Sequence, residues 1–200
     1  MVQPGAPGLP GTYKIGLWYD TGSFPDQRFG TDGLSLANPA SNGNPAMHHG
    51  NYSFYGVADQ TIWQSAQNSS RGLNAFARII GAPDAQNLID FSFNGGLTLT
   101  APLPGRDNDQ AGIDFGLGRV SQRASDLDHD TAAFSGSATP IRGSEEMLEF
   151  TYQAQATPWL VLQPDLQYIF NPGAGILDPN DPARNLRNEL VVGIRATTTF

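Results

Sequence analysis

Along most of this chain, apolar and polar residues alternate with a period of two, the signature of strands whose faces meet different surroundings. The last stretch, Asn188 to Phe200, is the cleanest: Leu190, Val192, Ile194, Ala196, Thr198 and Phe200 fall on one face, and Glu189, Gly193, Arg195, Thr197 and Thr199 on the other. The same pattern predicts strands over Thr12–Asp20, Leu88–Thr100, Gly112–Val120, Glu145–Ala156 and Trp159–Phe170. Asn51–Trp63 and Gly72–Ile80 are rich in aromatic and branched residues and also read as strands, although Asp59 and Gln60 stand side by side and blur the faces of the first. Eight strands in all are expected, with polar side chains on one side and nearly pure hydrocarbon on the other.

Alternation alone leaves two readings open. In a sandwich the apolar side packs on a second sheet, whereas in a transmembrane barrel it faces lipid and the polar side lines the lumen. The connections favour the barrel. If consecutive links alternate between two ends, the three longest (residues 21–50, 121–144 and 171–187) all fall at one end, and the shorter ones at Ser65–Arg71, Ala101–Ala111 and Thr157–Pro158 at the other. Short inner turns and long outer loops are the asymmetry of outer-membrane barrels. Aromatics gather at strand ends in the same sense: Trp63, Trp159 and Phe200 at the inner end, Tyr19, Tyr52, Tyr168 and Phe170 at the outer.

Composition narrows the picture. With 39% hydrophobic and 10% aromatic residues the chain should fold, and its 23 Gly and 15 Pro concentrate between the strands, where turns need them. No apolar run approaches the roughly 18 residues of a membrane helix, but barrel strands of about 9–11 alternating residues escape such a search. A mean hydropathy of -0.31 therefore does not argue for a soluble protein. Zero cysteines exclude a disulfide framework and thiolate metal sites. A net charge of -8 disfavours nucleic acid as a partner, since phosphate binding is driven by Lys and Arg. Residues 1–11 hold no basic start and no apolar stretch of the kind an export signal needs, and are expected to form a turn or truncated linker ahead of a barrel segment at 12–200.

Several blocks resemble the carbohydrate-selective porins of the OprB type. They are Trp-Tyr-Asp-Thr-Gly at Trp18–Gly22, the run Asp26–Leu36, Gly-Asn-Tyr-Ser-Phe-Tyr-Gly-Val-Ala-Asp-Gln at Gly50–Gln60, and Arg-Gly-Leu-Asn-Ala-Phe-Ala-Arg at Arg71–Arg78. The longest is Pro-Trp-Leu-Val-Leu-Gln-Pro-Asp-Leu-Gln-Tyr-Ile-Phe-Asn-Pro-Gly at Pro158–Gly173. A terminal Phe200 closing an amphipathic strand resembles the insertion signal of Gram-negative outer-membrane barrels. The resemblance implies an all-β, antiparallel transmembrane barrel in the outer membrane, of which this chain is the C-terminal half. It implies passive, carbohydrate-selective diffusion of sugars into the periplasm, without catalysis or cofactor. Implied partners are sugar solutes, outer-membrane lipid and the barrel-assembly machinery acting on the C-terminal strand, with the barrel either a homotrimer or a monomer. A general diffusion porin, a small structural barrel, a soluble all-β binding module and an outer-membrane hydrolase are the alternatives.

On this reading Lys14, Trp18, Asp114, Glu149, Gln153, Gln163, Asp165, Gln167 and Arg195 project into the lumen and line the solute path. Carboxylates, amides and guanidinium suit sugar hydroxyls, and an indole suits the C–H face of the ring. A purely structural role for Arg195, pairing with Glu149 or Asp165, is the plainer alternative. Asp126, Asp128, His129 and Asp130 carry oxygen ligands, yet the segment lacks the Gly and terminal Glu of a calcium loop, so a solvated acidic loop is expected. His48 and His49 are adjacent, point apart on extended backbone, and are assigned to a surface loop.

Overall fold

In the computed structural model, which describes residues 8–137 and 139–200, one eight-stranded antiparallel sheet dominates. Its strands are β1 (Gly11–Gly30), β2 (Pro45–Gln64), β3 (Gly72–Gly81), β4 (Ile89–Thr100), β5 (Gln110–Val120), β6 (Ser144–Thr157), β7 (Leu160–Phe170) and, after a two-stranded ribbon of β8 (Leu177–Asp178) and β9 (Asp181–Asn185), β10 (Glu189–Thr198). Strands β1 to β7 pair in chain order and β10 pairs with β7, an up-and-down meander in which β1 and β10 form the two edges. Residues 1–7, part of the expected N-terminal linker, lie outside the described residues.

The ladder register settles the faces that alternation leaves ambiguous. Asp59 stands opposite Thr12 on the polar face, whereas Gln60 ends the apolar face, where the Tyr13 hydroxyl donates to its Oε1 at 2.5 Å and its Nε2 donates to the carbonyls of Leu9 and Pro10. A bulge between Thr61 and Trp63 then turns Trp63 outward, opposite Leu73. In β3, Leu73, Ala75, Ala77 and Ile79 share the apolar face, while Phe76 joins Asn74 and Arg78 on the polar one.

What this sheet lacks is a core. Among the described residues the buried apolar side chains are Ala101, Val120, Ala124 and Ala174, all in the links between strands or at a strand end. The apolar face is left open: Ile15 is 93% exposed, Val192 74% and Ile194 73%. A soluble sheet protein does not leave a continuous hydrocarbon face in water, and among the described residues no second sheet covers this one. The face suits lipid. Among the described residues no helix is long and apolar enough to cross a membrane, so any crossing is made by strands.

Two glycines show how tightly the sheet is knit. A Cβ on Gly96 would meet the Ile113 carbonyl oxygen at 2.2 Å and the Phe76 ring at 2.9 Å; one on Gly193 would meet the Asp165 carboxylate at 2.5 Å. The Phe76 ring and the Asp165 carboxylate occupy this space instead. Gly96→Ala should therefore separate β4 from β5 at a cost of about 3 kcal/mol, the upper end of overpacking penalties. The check is heat-modifiable migration of the folded barrel, which the variant should lose at lower temperature than the parent.

The outer links differ from expectation in kind. Residues 21–50 are not one long loop, because β1 and β2 continue their pairing past Asp20, through bulges, to Gly30 and Pro45. Gly22 and Pro25 break the period-two signal there without ending the ladder. Within 121–144, Gln122–Ser135 form a helix, α1, capped by the Ser121 side chain, which accepts from Ala124 N–H, and stopped by Gly136 with φ 64°. The 171–187 link carries the small β8–β9 ribbon.

Candidate functional site: the polar face and its outer cover

The polar face carries a nearly continuous chain of hydrogen-bonding groups across the strands. From β2 inward, Arg78 pairs with Asp59 at 3.4 Å and donates to Asn94 Oδ1 at 3.5 Å. Asn94 Nδ2 donates to both Asp114 oxygens at 2.8 and 2.6 Å, and Asp114 stands opposite Glu149. Gln167 Nε2 donates to Glu149 at 3.0 Å and lies 3.5 Å from Asp165, while Gln163 Nε2 donates to Thr151 at 3.0 Å. All but the Gln167–Asp165 contact, which runs along β7, join neighbouring strands, the pairing that a sheet makes inexpensive.

The register places all nine residues expected in the lumen on this one face. Asp114, Glu149, Gln153, Gln163, Asp165 and Gln167 sit together on β5, β6 and β7. Arg195 is next, opposite Gln163 on β10. Lys14 and Trp18 are separate from these, on β1 at the far edge of the sheet, opposite Val57 and Ser53. The carboxylates named as structural partners for Arg195 are engaged by Gln167 instead. Sequence reading missed Asp59 and Arg78 because β2 and β3 hide their alternation behind an aromatic, Phe76, on the polar side, whereas Asn94 falls on the clean polar side of β4 but was not singled out.

At the outer end, links fold over this face. Asn51 and Ser53, polar-face residues of β2, are 3% and 1% exposed. The reason is the 82–88 link: Asn87 and Asn51 exchange amide hydrogen bonds at 2.9 and 3.0 Å, and Gln86 Nε2 donates to the Gly50 carbonyl at 2.7 Å. The tip of β1 is held there as well, since Gln27 N–H donates to the Ala85 carbonyl at 2.8 Å.

The helix α1 leaves from between β5 and β6 and docks on that same β1 tip. Asp126 and Asp130, four residues apart and so on one helix face, both reach Arg28: Nη1 to Asp126 at 2.5 Å, and Nε and Nη2 to Asp130 at 2.8 and 3.1 Å. This is the acidic run expected as a solvated loop; instead it is helical, and its third carboxylate, Asp128, takes a two-toothed contact from Arg142 at 2.8 Å. Asp26, 5% exposed, gathers the Arg28 and Phe29 backbone N–H groups at 2.8 Å, His48 Nε2 at 2.8 Å and Arg123 at 3.3 Å. The two histidines are thus in β2 rather than a loop, and they do point apart: His49 Nδ1 meets Ser23 Oγ at 3.0 Å.

These groups lie beyond the ten-residue part of β1 that would cross a membrane, so their titration is that of loop residues. The Arg28 hydrogen bond holds the Asp130 carboxyl below the usual carboxylate range. Burial pushes Asp26 up, but hydrogen bonds from Phe29 and His48 outweigh it and leave the group low. Both are acceptors at neutral pH. The arrangement as a whole is a one-sheet wall, polar on one side and apolar on the other, with an ion-paired cover at one end.

The chain matches the family model described as carbohydrate-selective porin, OprB family, over residues 2–200. It is 29% identical over 210 residues to Porin B of Pseudomonas aeruginosa, an alignment that takes in 98% of this chain and 42% of that protein. A putative porin of Acinetobacter baylyi, QuiX, is 28% identical across 87% of this chain and 38% of its own length. Among solved structures, the high-pH form of Pseudomonas putida OprB superposes with a TM-score of 0.84 at 25% identity, covering 96% of this chain and 45% of that one. The chain spans less than half the length of the relatives it matches.

Proposed function

We propose, for a chain that belongs to the OprB family of carbohydrate-selective porins, that its sheet is the C-terminal half of an outer-membrane barrel of about 16 strands through which sugars diffuse passively. The observation that carries this reading is the division of the sheet, hydrocarbon exposed on one face and a hydrogen-bonding array on the other. A lumen lined by carboxylates, amides and guanidinium offers a sugar hydroxyl partners in place of water. Passage then costs little, and no bond need be made or broken. The nine polar-face residues from Lys14 to Arg195 would line the path, and Phe200 would close the strand read by the assembly machinery.

Bilayer conductance of the completed barrel, titrated with glucose, tests the proposal. Glucose should reduce the ion current in a saturable way, because an occupied path excludes ions. A current that no sugar concentration lowers would leave a general diffusion pore and remove the claim of selectivity.

A further inference from the structure

We propose that the inner rim of the apolar face binds the phosphate of an anionic phospholipid in the inner leaflet of the bilayer, through Arg71 and Arg106. The inference takes from the function just proposed that the sheet spans an outer membrane with its short turns at the periplasmic end. It adds a partner on the lipid side of the wall, away from the solute path.

The protein leaves the charge of Arg71 unanswered. Its backbone carbonyl accepts from Ser65 N–H at 2.9 Å, one step beyond the Gln64–Gly72 pair, so the β2–β3 ladder runs on and sets Arg71 in step with Leu73 on the apolar face. Its Nε is buried without a hydrogen-bond partner, and its Nη2 comes no closer than 3.5 Å to the Pro102 carbonyl. Among the described residues no carboxylate pairs with it, whereas Arg106 and Arg119 each have one. Desolvating one edge of a guanidinium without an anion is costly, and a phosphate at its Nη edge offsets that cost with charge-assisted hydrogen bonds.

The neighbouring turn supplies a second cation. Thr100 Oγ1 donates to the Ser70 carbonyl at 2.9 Å and Asn68 Nδ2 to Asp107 at 2.9 Å, so the 65–71 and 101–109 links are locked side by side. Arg106 donates through Nε to Asp109 at 2.7 Å and keeps its Nη groups for a further acceptor. Tyr152, on the apolar face of β6 opposite Ala111, donates its hydroxyl to the same carboxylate at 2.6 Å, which holds this ion pair on the lipid side. Trp63 and Leu103, 45% and 54% exposed, offer an indole and a hydrocarbon side chain at the same inner end, the means by which a protein seats itself at headgroup level. The outer rim of the apolar face is built otherwise. There Arg119, opposite Phe91, is held by both Asp90 oxygens at 2.9 and 3.1 Å, and Glu146 stands nearby opposite Leu117. An unpaired guanidinium at the inner rim and a neutralised one at the outer commit the site to the inner leaflet.

The experiment measures, by native mass spectrometry of the completed barrel in neutral detergent, the apparent Kd for added phosphatidylglycerol and for phosphatidylethanolamine. Phosphatidylglycerol should bind the parent more tightly than phosphatidylethanolamine. Arg71→Gln should raise the Kd for phosphatidylglycerol about 5-fold, the worth of one basic residue beside an anionic lipid surface, while Arg71→Lys and Arg119→Gln stay close to the parent. Arg71→Gln combined with Arg106→Gln should raise it about 25-fold. Heat-modifiable migration reports folding, and because Arg106 also holds Asp109, the single Arg71 variant decides if the double one fails to fold. An unchanged Kd in folded Arg71→Gln overturns the site, as does phosphatidylethanolamine binding the parent as tightly as phosphatidylglycerol. Displacement of the bound lipid by inorganic phosphate would show a site for soluble anions and overturn the lipid as its occupant. Glucose block of the same barrel separates this site from the proposed function. Block that persists while the lipid preference is missing overturns the site alone, and a lipid preference without any sugar block supports the site while removing the claim of sugar selectivity.

Discussion

Refolded alone into planar bilayers, the 200-residue chain should give no stable channel, whereas the same strands within a completed barrel should conduct. The sheet runs in order from β1 to β10 without closing, so the Gly11–Asp20 part of β1 has only β2 beside it, and Glu189–Thr198 has only β7. Along an edge strand about half the backbone N–H and C=O groups point away from the sheet, and in lipid each unpaired group costs several kcal/mol. Two ten-residue edges therefore carry a penalty on the order of tens of kcal/mol, far beyond the roughly 5–15 kcal/mol that stabilise a folded domain. Closing eight strands on themselves is no remedy, because the interior of such a barrel is only wide enough for side chains to fill it, and here the polar face carries long polar and charged residues such as Lys14, Glu149, Gln167 and Arg195. Reproducible single-channel steps from the isolated chain would sink this view and point to closure by a second copy.

How much of this could be read beforehand varied along the chain for physical reasons. From β4 to β7 and in β10 each strand has one wet and one apolar face, so period two survives intact and the polar-face residues from Asp114 to Arg195 are legible by parity. At β2 and β3 the pattern fails because the faces are mixed: Phe76 sits among polar-face residues and Gln60 ends the apolar face, each satisfied by a particular neighbour that only the register reveals. The outer cover was least legible. Asp126, Asp128 and Asp130 look like a solvated run, and only their docking against Arg28 and Arg142 explains why so many acids tolerate a helix. Helical spacing of Asp126 and Asp130, after Ser121 and before Gly136, was the available signal, but it names no partner.

That docking yields the second large effect: Arg28→Ala should release α1 from the β1 tip. Arg28 makes three hydrogen bonds to two carboxylates of the helix, beside the longer Arg123–Asp26 contact at 3.3 Å, and Arg28 and both acids are only a fifth to a third exposed. Charge-assisted bonds of this kind are worth about 1.5–3 kcal/mol each before solvent screening, and partial exposure reduces the set to roughly 1.5–3 kcal/mol in total. Backbone hydrogen exchange in 122–135 should accordingly quicken about 10- to 100-fold in the variant, with the strands unchanged. Arg28→Lys keeps the charge but not the planar fork that holds both oxygens of Asp130, and should fall between the two. Acid should act in the same direction. Because the folded pKa of Asp130 lies below its ordinary value of 3.8, its contribution is complete above the ordinary value and is lost as pH falls through the lowered one. Protection of α1 in the parent should therefore hold at pH 5 to 7 and fall only below about pH 4, while Arg28→Ala should show little of this pH dependence. Exchange in 122–135 that is the same in parent and Arg28→Ala would mean that Phe29, Arg123 and Asp26 hold the helix by themselves, and the ion pair would lose its role in covering the outer end.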